Sequence, residues 1–138
     1  MDYTPLLDKI MGLDKNIRFS LICDMHGNVV NTRHREKQEN FLTENETKDA
    51  LQYSVESWRV RNHHSKKIGK GKFAFVEYEK LRRITMPLNE DRMLLVTVDK
   101  DGENYEIIDR ILNQIRHPEN LKTSLKQENS SLDVLLPK

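Results

Sequence analysis

The segment "RMLLVTV", residues 92–98, constrains the fold of this chain more than any other stretch. A β-strand points successive side chains to opposite faces of its sheet, and here both sets of positions are mainly apolar. Such a strand must be covered on both faces, so we predict that it lies in the centre of a sheet. Its apolar side chains are Met93, Leu94, Leu95, Val96 and Val98.

Four further segments have the composition of strands. "IRFSLICDM" alternates apolar side chains at positions 17, 19, 21 and 23, "HGN" supplies turn residues, and "VVNTRHRE" resumes an extended pattern. A strand, a glycine-containing turn and a second strand predict a β-hairpin. Later in the chain, "KFAFVEYE" and "RRITMPL" are strand candidates, and Pro87 indicates that the second one ends near that residue.

Three helices are predicted around these strands, two of them short. The apolar residues of "YTPLLDKIMGL", residues 3–13, recur at helical spacing, and Gly12 is placed to end this helix. The segment "NYEIIDRILNQI", residues 104–115, has a broad apolar helix face, and Pro118 follows it.

The longest helix is predicted in "TENETKDALQYSVESWRVRN". Thr43 and Glu46 have the spacing of a capping box at its start. An apolar stripe follows at Leu51, Val55 and Trp58, which predicts the face that packs on the sheet. A different face carries small residues that would let another element approach closely, namely Ala50, Ser54 and Ser57.

The predicted order of elements is α-β-β-α-β-β-β-α. Antiparallel connections throughout give a five-stranded antiparallel sheet with helices on both faces, an α/β fold of the α+β type. A chain of 138 residues suffices for one such core, and we place this domain at residues 1–116. Residues 117–138 are polar and are predicted to form a tail, apart from the apolar ending "LDVLLPK".

This order resembles the roadblock superfamily, a cytoplasmic group related in architecture to longin and profilin domains. The resemblance covers residues 3–116 and rests first on "FSLICDMHGNVV", with an aspartate and then a glycine between the first two strands. It rests also on the single long helix, the strand triplet and the closing helix. The alternative is a PAS-like small-molecule sensor, a fold that normally has several short helices where this chain has one long capped helix.

The resemblance implies a non-enzymatic interaction module, a scaffold or regulator acting as a homodimer, with small GTPases as one class of partner. Relatives are expected among archaeal proteins. No motif of nucleophilic catalysis is present, so we expect neither an enzyme nor a cofactor.

In a roadblock-like order, the strand at residues 73–78 lies at the edge of the sheet and carries apolar side chains on both faces. Such an edge promotes aggregation unless something covers it, and pairing with a second copy would satisfy its backbone groups. The residues assigned to this dimer interface are Ala50, Ser54, Ser57, Phe73, Phe75, Val76 and Tyr78. The alternative is a monomer whose tail covers the edge through Leu132, Val134, Leu135 and Leu136.

The stretch "CDMHGNVV" brings a cysteine, an aspartate and a histidine close together, as a metal site or a hairpin turn would. On a strand, Cys23 and Asp24 point to opposite faces and cannot jointly hold a metal. Cys23 and His26 remain, a pair too small for a closed zinc site. His63 and His64 are adjacent on a helix and diverge by about a hundred degrees. We therefore predict a turn, a buried Cys23 and no metal.

Between Glu56 and Glu77 the chain contains six lysines and arginines and no acid. Such a segment would bind phosphates in a salt-dependent way, which gives an alternative function as a nucleic-acid or anionic-ligand binder. The same run of positive charge would equally suit the C-terminus of a helix followed by a solvated loop. We do not expect nucleic acid to be the partner. "GKGK" is not a phosphate-binding loop, because Phe73 follows it and a strand begins. The candidate anion-binding residues are Arg59, Arg61, Lys66, Lys67, Lys70 and Lys72.

Composition supports a cytoplasmic protein. Charged residues make up 33% of the chain, but the net charge is +1, without the excess expected of a general polyanion binder. The N-terminus "MDYTPLLDKI" does not have the pattern of a signal peptide, and no segment approaches the roughly 18 apolar residues of a membrane span. A single cysteine excludes an internal disulfide.

Overall fold

The computed structural model describes residues 2–36, 39–101 and 106–116. Its elements follow the predicted order, with one short helix in addition. The predicted tail lies outside the described residues. The elements are α1 (Thr4–Met11), β1 (Ile17–Asp24), β2 (Val29–His34), α2 (Glu44–His63), α3 (Ser65–Ile68), β3 (Ala74–Glu77), β4 (Leu81–Pro87), β5 (Arg92–Asp99) and α4 (Glu106–Arg116).

The strands form one five-stranded antiparallel sheet in the order β2-β1-β5-β4-β3. β5 pairs with β1 along one side and with β4 along the other. Every side chain of β5 from Met93 to Val98 is buried. The prediction of a central strand covered on both faces is confirmed.

Two hydrophobic clusters cover the two faces of the sheet. On one side, which we call the α1/α4 face, both of these helices pack against residues such as Ile22 and Val96. On the other, the α2 face, Leu51, Val55 and Trp58 pack against side chains of β1 and β5. Each such side chain contributes about 1.5–3 kcal/mol when fully buried, so the predicted stripe of α2 anchors the helix to the sheet.

An irregularity at Arg18 corrects one detail of the predicted alternation. The pairing of β1 with β5 shifts register between Ile17 and Phe19, as a β-bulge does. Ile17 consequently joins the α1/α4 cluster, whereas Phe19 packs against the α2 cluster. The regular pattern had predicted both side chains on one face.

The turn between β1 and β2 is held by Asp24. Its Oδ1 accepts hydrogen bonds from the backbone N–H groups of His26 and Asn28, each at 2.9 Å. Gly27 has φ +83°, a conformation that glycine adopts without steric cost. The backbone hydrogen bond from Asn28 is the main reason that the pKa of Asp24 is lowered. The hairpin prediction is confirmed.

Helix α2 is capped at its start and extended at its end by α3. Thr43 Oγ1 accepts from the N–H of Glu46 at 3.1 Å, and Thr43 N–H donates to the Glu46 carboxylate at 2.9 Å, so the predicted capping box is confirmed. After α3 the chain turns at Gly69, whose φ is +89°. Among the described residues, no helix combines the length and apolar character that a membrane crossing requires.

Candidate functional site

Strand β3 is an edge strand, as predicted, and within the described residues only β4 pairs with it. Its two faces differ, because Ala74 packs against the α2 cluster and Phe75 against the α1/α4 cluster. Val76 is 45% exposed and Tyr78 is 47% exposed. The edge therefore presents apolar side chains to solvent beside the backbone N–H and C=O groups of its outer side. This combination favours pairing with another strand.

Of the small residues predicted for the interface on α2, Ala50 and Ser57 are partly exposed and Ser54 is buried. Ser54 is buried within the protomer, and its carbonyl accepts a hydrogen bond from the Ser57 hydroxyl at 2.7 Å. Ser54 thus has little surface left for an interface, and Ala50 lines a cleft beneath the helix. The large exposed apolar side chains of α2 are Tyr53 and Val60.

Gly71 lies in the segment between α3 and β3. A Cβ atom added at Gly71 would lie 2.6 Å from the Trp58 ring, closer than real Cβ contacts come. The glycine therefore allows the backbone to approach the indole, whose Nε1 donates to Thr85 Oγ1 at 2.9 Å. The "GKGK" segment is followed by strand β3 and not by a helix, and its second glycine packs against Trp58.

A second feature on the α2 face escaped the sequence analysis. Arg18 of β1, Arg83 of β4 and Thr97 of β5 line a common cleft under the beginning of α2. The signal that could have found it is a polar residue inside each apolar strand pattern, as in "IRFSLIC" and "LLVTV".

Solved structures share this arrangement of strands and helices. The gliding protein MglB from Thermus thermophilus matches with a TM-score of 0.66 at 10% identity, over 81% of this chain and 81% of that one. A structure of MglB with tetrameric arrangement matches with a TM-score of 0.69 at 10% identity, over 89% and 88% of the two chains. A Roadblock/LC7 domain from Streptomyces avermitilis matches with a TM-score of 0.60 at 9% identity, over 84% and 94%. The fold is the roadblock fold.

The roadblock interpretation of the element order is thereby confirmed, and at such identities the likeness concerns the fold. No protein-family model matches the sequence, and no curated relative does either.

The basic segment of this roadblock fold spans the end of α2, α3 and the loop before β3. All six of its predicted anion-binding side chains are exposed. Arg59 donates to the Met25 carbonyl and lies 3.7 Å from the Glu56 carboxylate, so it ties α2 to the β1–β2 turn. Arg61 donates to the Ser57 hydroxyl and its guanidinium lies 4.7 Å from the centre of the Trp58 ring. The other four predicted anion-binding residues are Lys66, Lys67, Lys70 and Lys72.

We expect this basic segment to bind polyanions weakly. Heparin should retain the protein at about 50 mM salt and release it by about 200 mM, because the affinity depends on displaced counterions. Heparin chromatography of the wild type and of a variant with Lys66, Lys67, Lys70 and Lys72 changed to Gln measures this. Micromolar binding to one nucleic-acid sequence that resists salt, and is lost in the variant, would contradict the expectation.

Cys23 is buried in the α2 cluster, as predicted, next to the turn. Burial, with a smaller contribution from the charge of Asp24, raises the pKa of its thiol from 9.0 to about 11. Within the described ranges, no group of three or more histidine, cysteine, aspartate or glutamate side chains is arranged to hold a metal ion. The arrangement suits a small apolar core residue rather than a reactive thiol.

We expect the Cys23 thiol to react with a thiol reagent at pH 8 only in denaturant. Because the folded state holds the proton to a higher pH than the unfolded state, stability should fall as pH rises from 9.0 to about 11. The loss attributable to this group is about 2 kcal/mol or less. Urea denaturation of the wild type and of Cys23→Ala at several pH values across this range measures the loss. If the free energy of unfolding falls equally with pH in both proteins, the prediction is contradicted.

Proposed function

We propose that this protein is a non-enzymatic regulatory module that acts in the cytoplasm as a homodimer and binds a small GTPase. The dimer forms by pairing the β3 edges of two copies across a two-fold axis, which continues the sheet from one copy to the other. The α2 helices of the two copies then lie on the same face of the joined sheet. The described domain carries this interface, with residues 117–138 as an appended tail.

The exposed apolar edge of β3 is the observation that carries this proposal. Val76 and Tyr78 are each nearly half exposed there, and Phe73 just before the strand is 43% exposed. On the adjoining helix, Tyr53 is 78% exposed and Val60 is 50% exposed. These large apolar side chains lie on α2 and at β3, the two elements that meet at Trp58. Exposed apolar side chains of this size favour burial by another protein surface.

The roadblock fold supports the choice of partner class. The order of elements resembles a superfamily for which small GTPases are one class of partner, and solved structures of MglB have the same fold. A GTPase changes surface conformation with its bound nucleotide, so a regulatory partner should distinguish the two nucleotide states.

Calorimetric titration tests whether the protein binds a small GTPase. The intact protein is titrated with small GTPases of the same organism, each loaded with GDP or with a non-hydrolysable GTP analogue. We expect one GTPase to bind, with affinities for its two states that differ by about tenfold or more. Absence of binding by every GTPase, in both states, at about 100 µM would refute the partner assignment but not the dimer, which light scattering measures separately.

A further inference from the structure

The cleft on the α2 face has the size of a site for a small ion. Its volume is about 40 Å³, and it lies between the first turns of α2, the segment at residues 39–42 and the sheet. A water molecule occupies about 10–15 Å³ by this measure, so the cleft accommodates about three waters or one small oxyanion.

Two hydrogen-bond donors in the floor of this cleft lack partners in the described part of the chain. Thr97 is 1% exposed, and its Oγ1 makes no hydrogen bond. Arg83 Nε is also buried and makes none. Arg83 and Thr97 are directly paired residues of β4 and β5, so the two groups lie side by side on the α2 face. Buried donors without partners are costly, and two of them at one site call for an acceptor there, such as a water molecule or a bound ion.

A third polar group reaches the cleft because of the bulge in β1. The register shift allows Arg18 and Phe19 to line the cleft together, although neighbouring strand residues normally point to opposite faces. Arg18 is 6% exposed, donates to the backbone carbonyl of Glu39 and stacks 4.4 Å from the centre of the Phe41 ring. These contacts hold its guanidinium in position at the wall.

The charge and lining of the cleft define the ligand. Two guanidinium groups line it with one carboxylate, that of the exposed Glu39, so its net charge is positive. Guanidinium groups hydrogen-bond carboxylate and phosphate oxygens in a planar geometry. The rest of the wall is mostly apolar and suits a short hydrocarbon chain; it includes Leu21, Leu42, Leu51, Leu81 and Leu95.

We propose that this cleft binds a small oxyanion, a short-chain carboxylate, whose oxygens accept hydrogen bonds from Arg83 Nε–H and Thr97 Oγ–H while its chain packs against the leucines. Arg18 contributes a second positive charge. Arg83 also donates from Nη1 to Tyr78 Oη at 3.3 Å, so the ligand contacts a residue that touches the β3 edge.

Nuclear magnetic resonance of the arginine side chains tests the site. The intact protein, labelled with ¹⁵N, is titrated with butyrate, inorganic phosphate or chloride at constant ionic strength. We expect the Arg83 Nε–H signal to shift saturably with butyrate, less with phosphate and not with chloride. A phosphate response stronger than the butyrate response would overturn the carboxylate assignment, and the same response to all three ions would overturn the site.

Variants separate binding from folding. Thr97→Val removes the hydroxyl and keeps the shape, so it should raise the melting temperature without ligand and weaken butyrate binding about tenfold. Arg83→Gln should weaken binding by a similar factor or more. Arg82→Gln is the matched control, because Arg82 immediately precedes Arg83 in β4 and points to the other face of the sheet. The substitution removes the same charge outside the cleft. Unchanged binding in Thr97→Val, or equal loss in Arg82→Gln, would refute the proposal.

Discussion

Val76→Lys is expected to convert the proposed dimer into a monomer. Val76 lies on the β3 edge and is 45% exposed, so pairing of two edges would bring the introduced ammonium groups of both copies close together. Like charges across an interface cost several kcal/mol, and about 3 kcal/mol weakens the dimer roughly a hundredfold. Lysine on an edge strand also discourages pairing with any other strand. Light scattering over a range of protein concentrations measures the change.

Val29→Lys provides the matched control for this experiment. Val29 lies on β2, the opposite edge of the sheet, and is 51% exposed. The same substitution there should leave the dimer intact. Equal disruption by both variants would contradict the assignment of the interface to β3. If the intact chain is monomeric and a version truncated after Arg116 self-associates, residues 117–138 and not a second copy would cover the β3 edge.

Trp58→Ala is expected to bring the protein close to unfolding. Trp58 is 1% exposed, and it packs between α2, the sheet and the backbone at Gly71. Replacing a buried aromatic side chain with alanine costs about 3–5 kcal/mol, a large part of the roughly 5–15 kcal/mol that stabilises most domains. The substitution also leaves Thr85 Oγ1 without its indole partner. Urea denaturation followed by far-ultraviolet circular dichroism measures the loss.

Two further variants divide this effect into its parts. Trp58→Phe keeps most of the apolar contact and removes the hydrogen bond to Thr85, so it should cost about 1–3 kcal/mol. Lys48→Ala changes an exposed residue of the same helix and should alter stability by less than about 0.5 kcal/mol. A loss below about 1 kcal/mol in Trp58→Ala would show that the indole does not anchor α2.

The parts of the fold that could be predicted are those that short stretches of sequence determine. The capping box at Thr43 and the turn at Gly27 depend on residues a few positions apart, and the structure contains both. The central position of β5 followed from apolar residues on both of its faces. The edge position of β3 required the family resemblance, because strand order depends on contacts between distant segments.

The details that escaped prediction depend on packing between elements. The bulge at Arg18 moves one residue out of the alternating pattern, and nothing in the alternation itself marks the position. The burial of Ser54 depends on the rotation of α2 about its axis, which the stripe of apolar residues defines only within a broad arc. The polar residues inside the strand patterns mark candidates for the cleft, but Arg18, Arg83 and Thr97 come from three strands, so the sequence pattern alone does not bring them together.

The position of Trp58 also determines how this protein can be observed optically. It is the single tryptophan of the chain, so the intrinsic indole fluorescence comes from one known site. The ring is shielded from water, with the Arg61 guanidinium stacked over it at 4.7 Å. Its emission should therefore be blue-shifted and poorly accessible to dissolved quenchers in the folded state. Detachment of α2, or of the segment leading to β3, would expose the ring and shift the emission to longer wavelength without any added label.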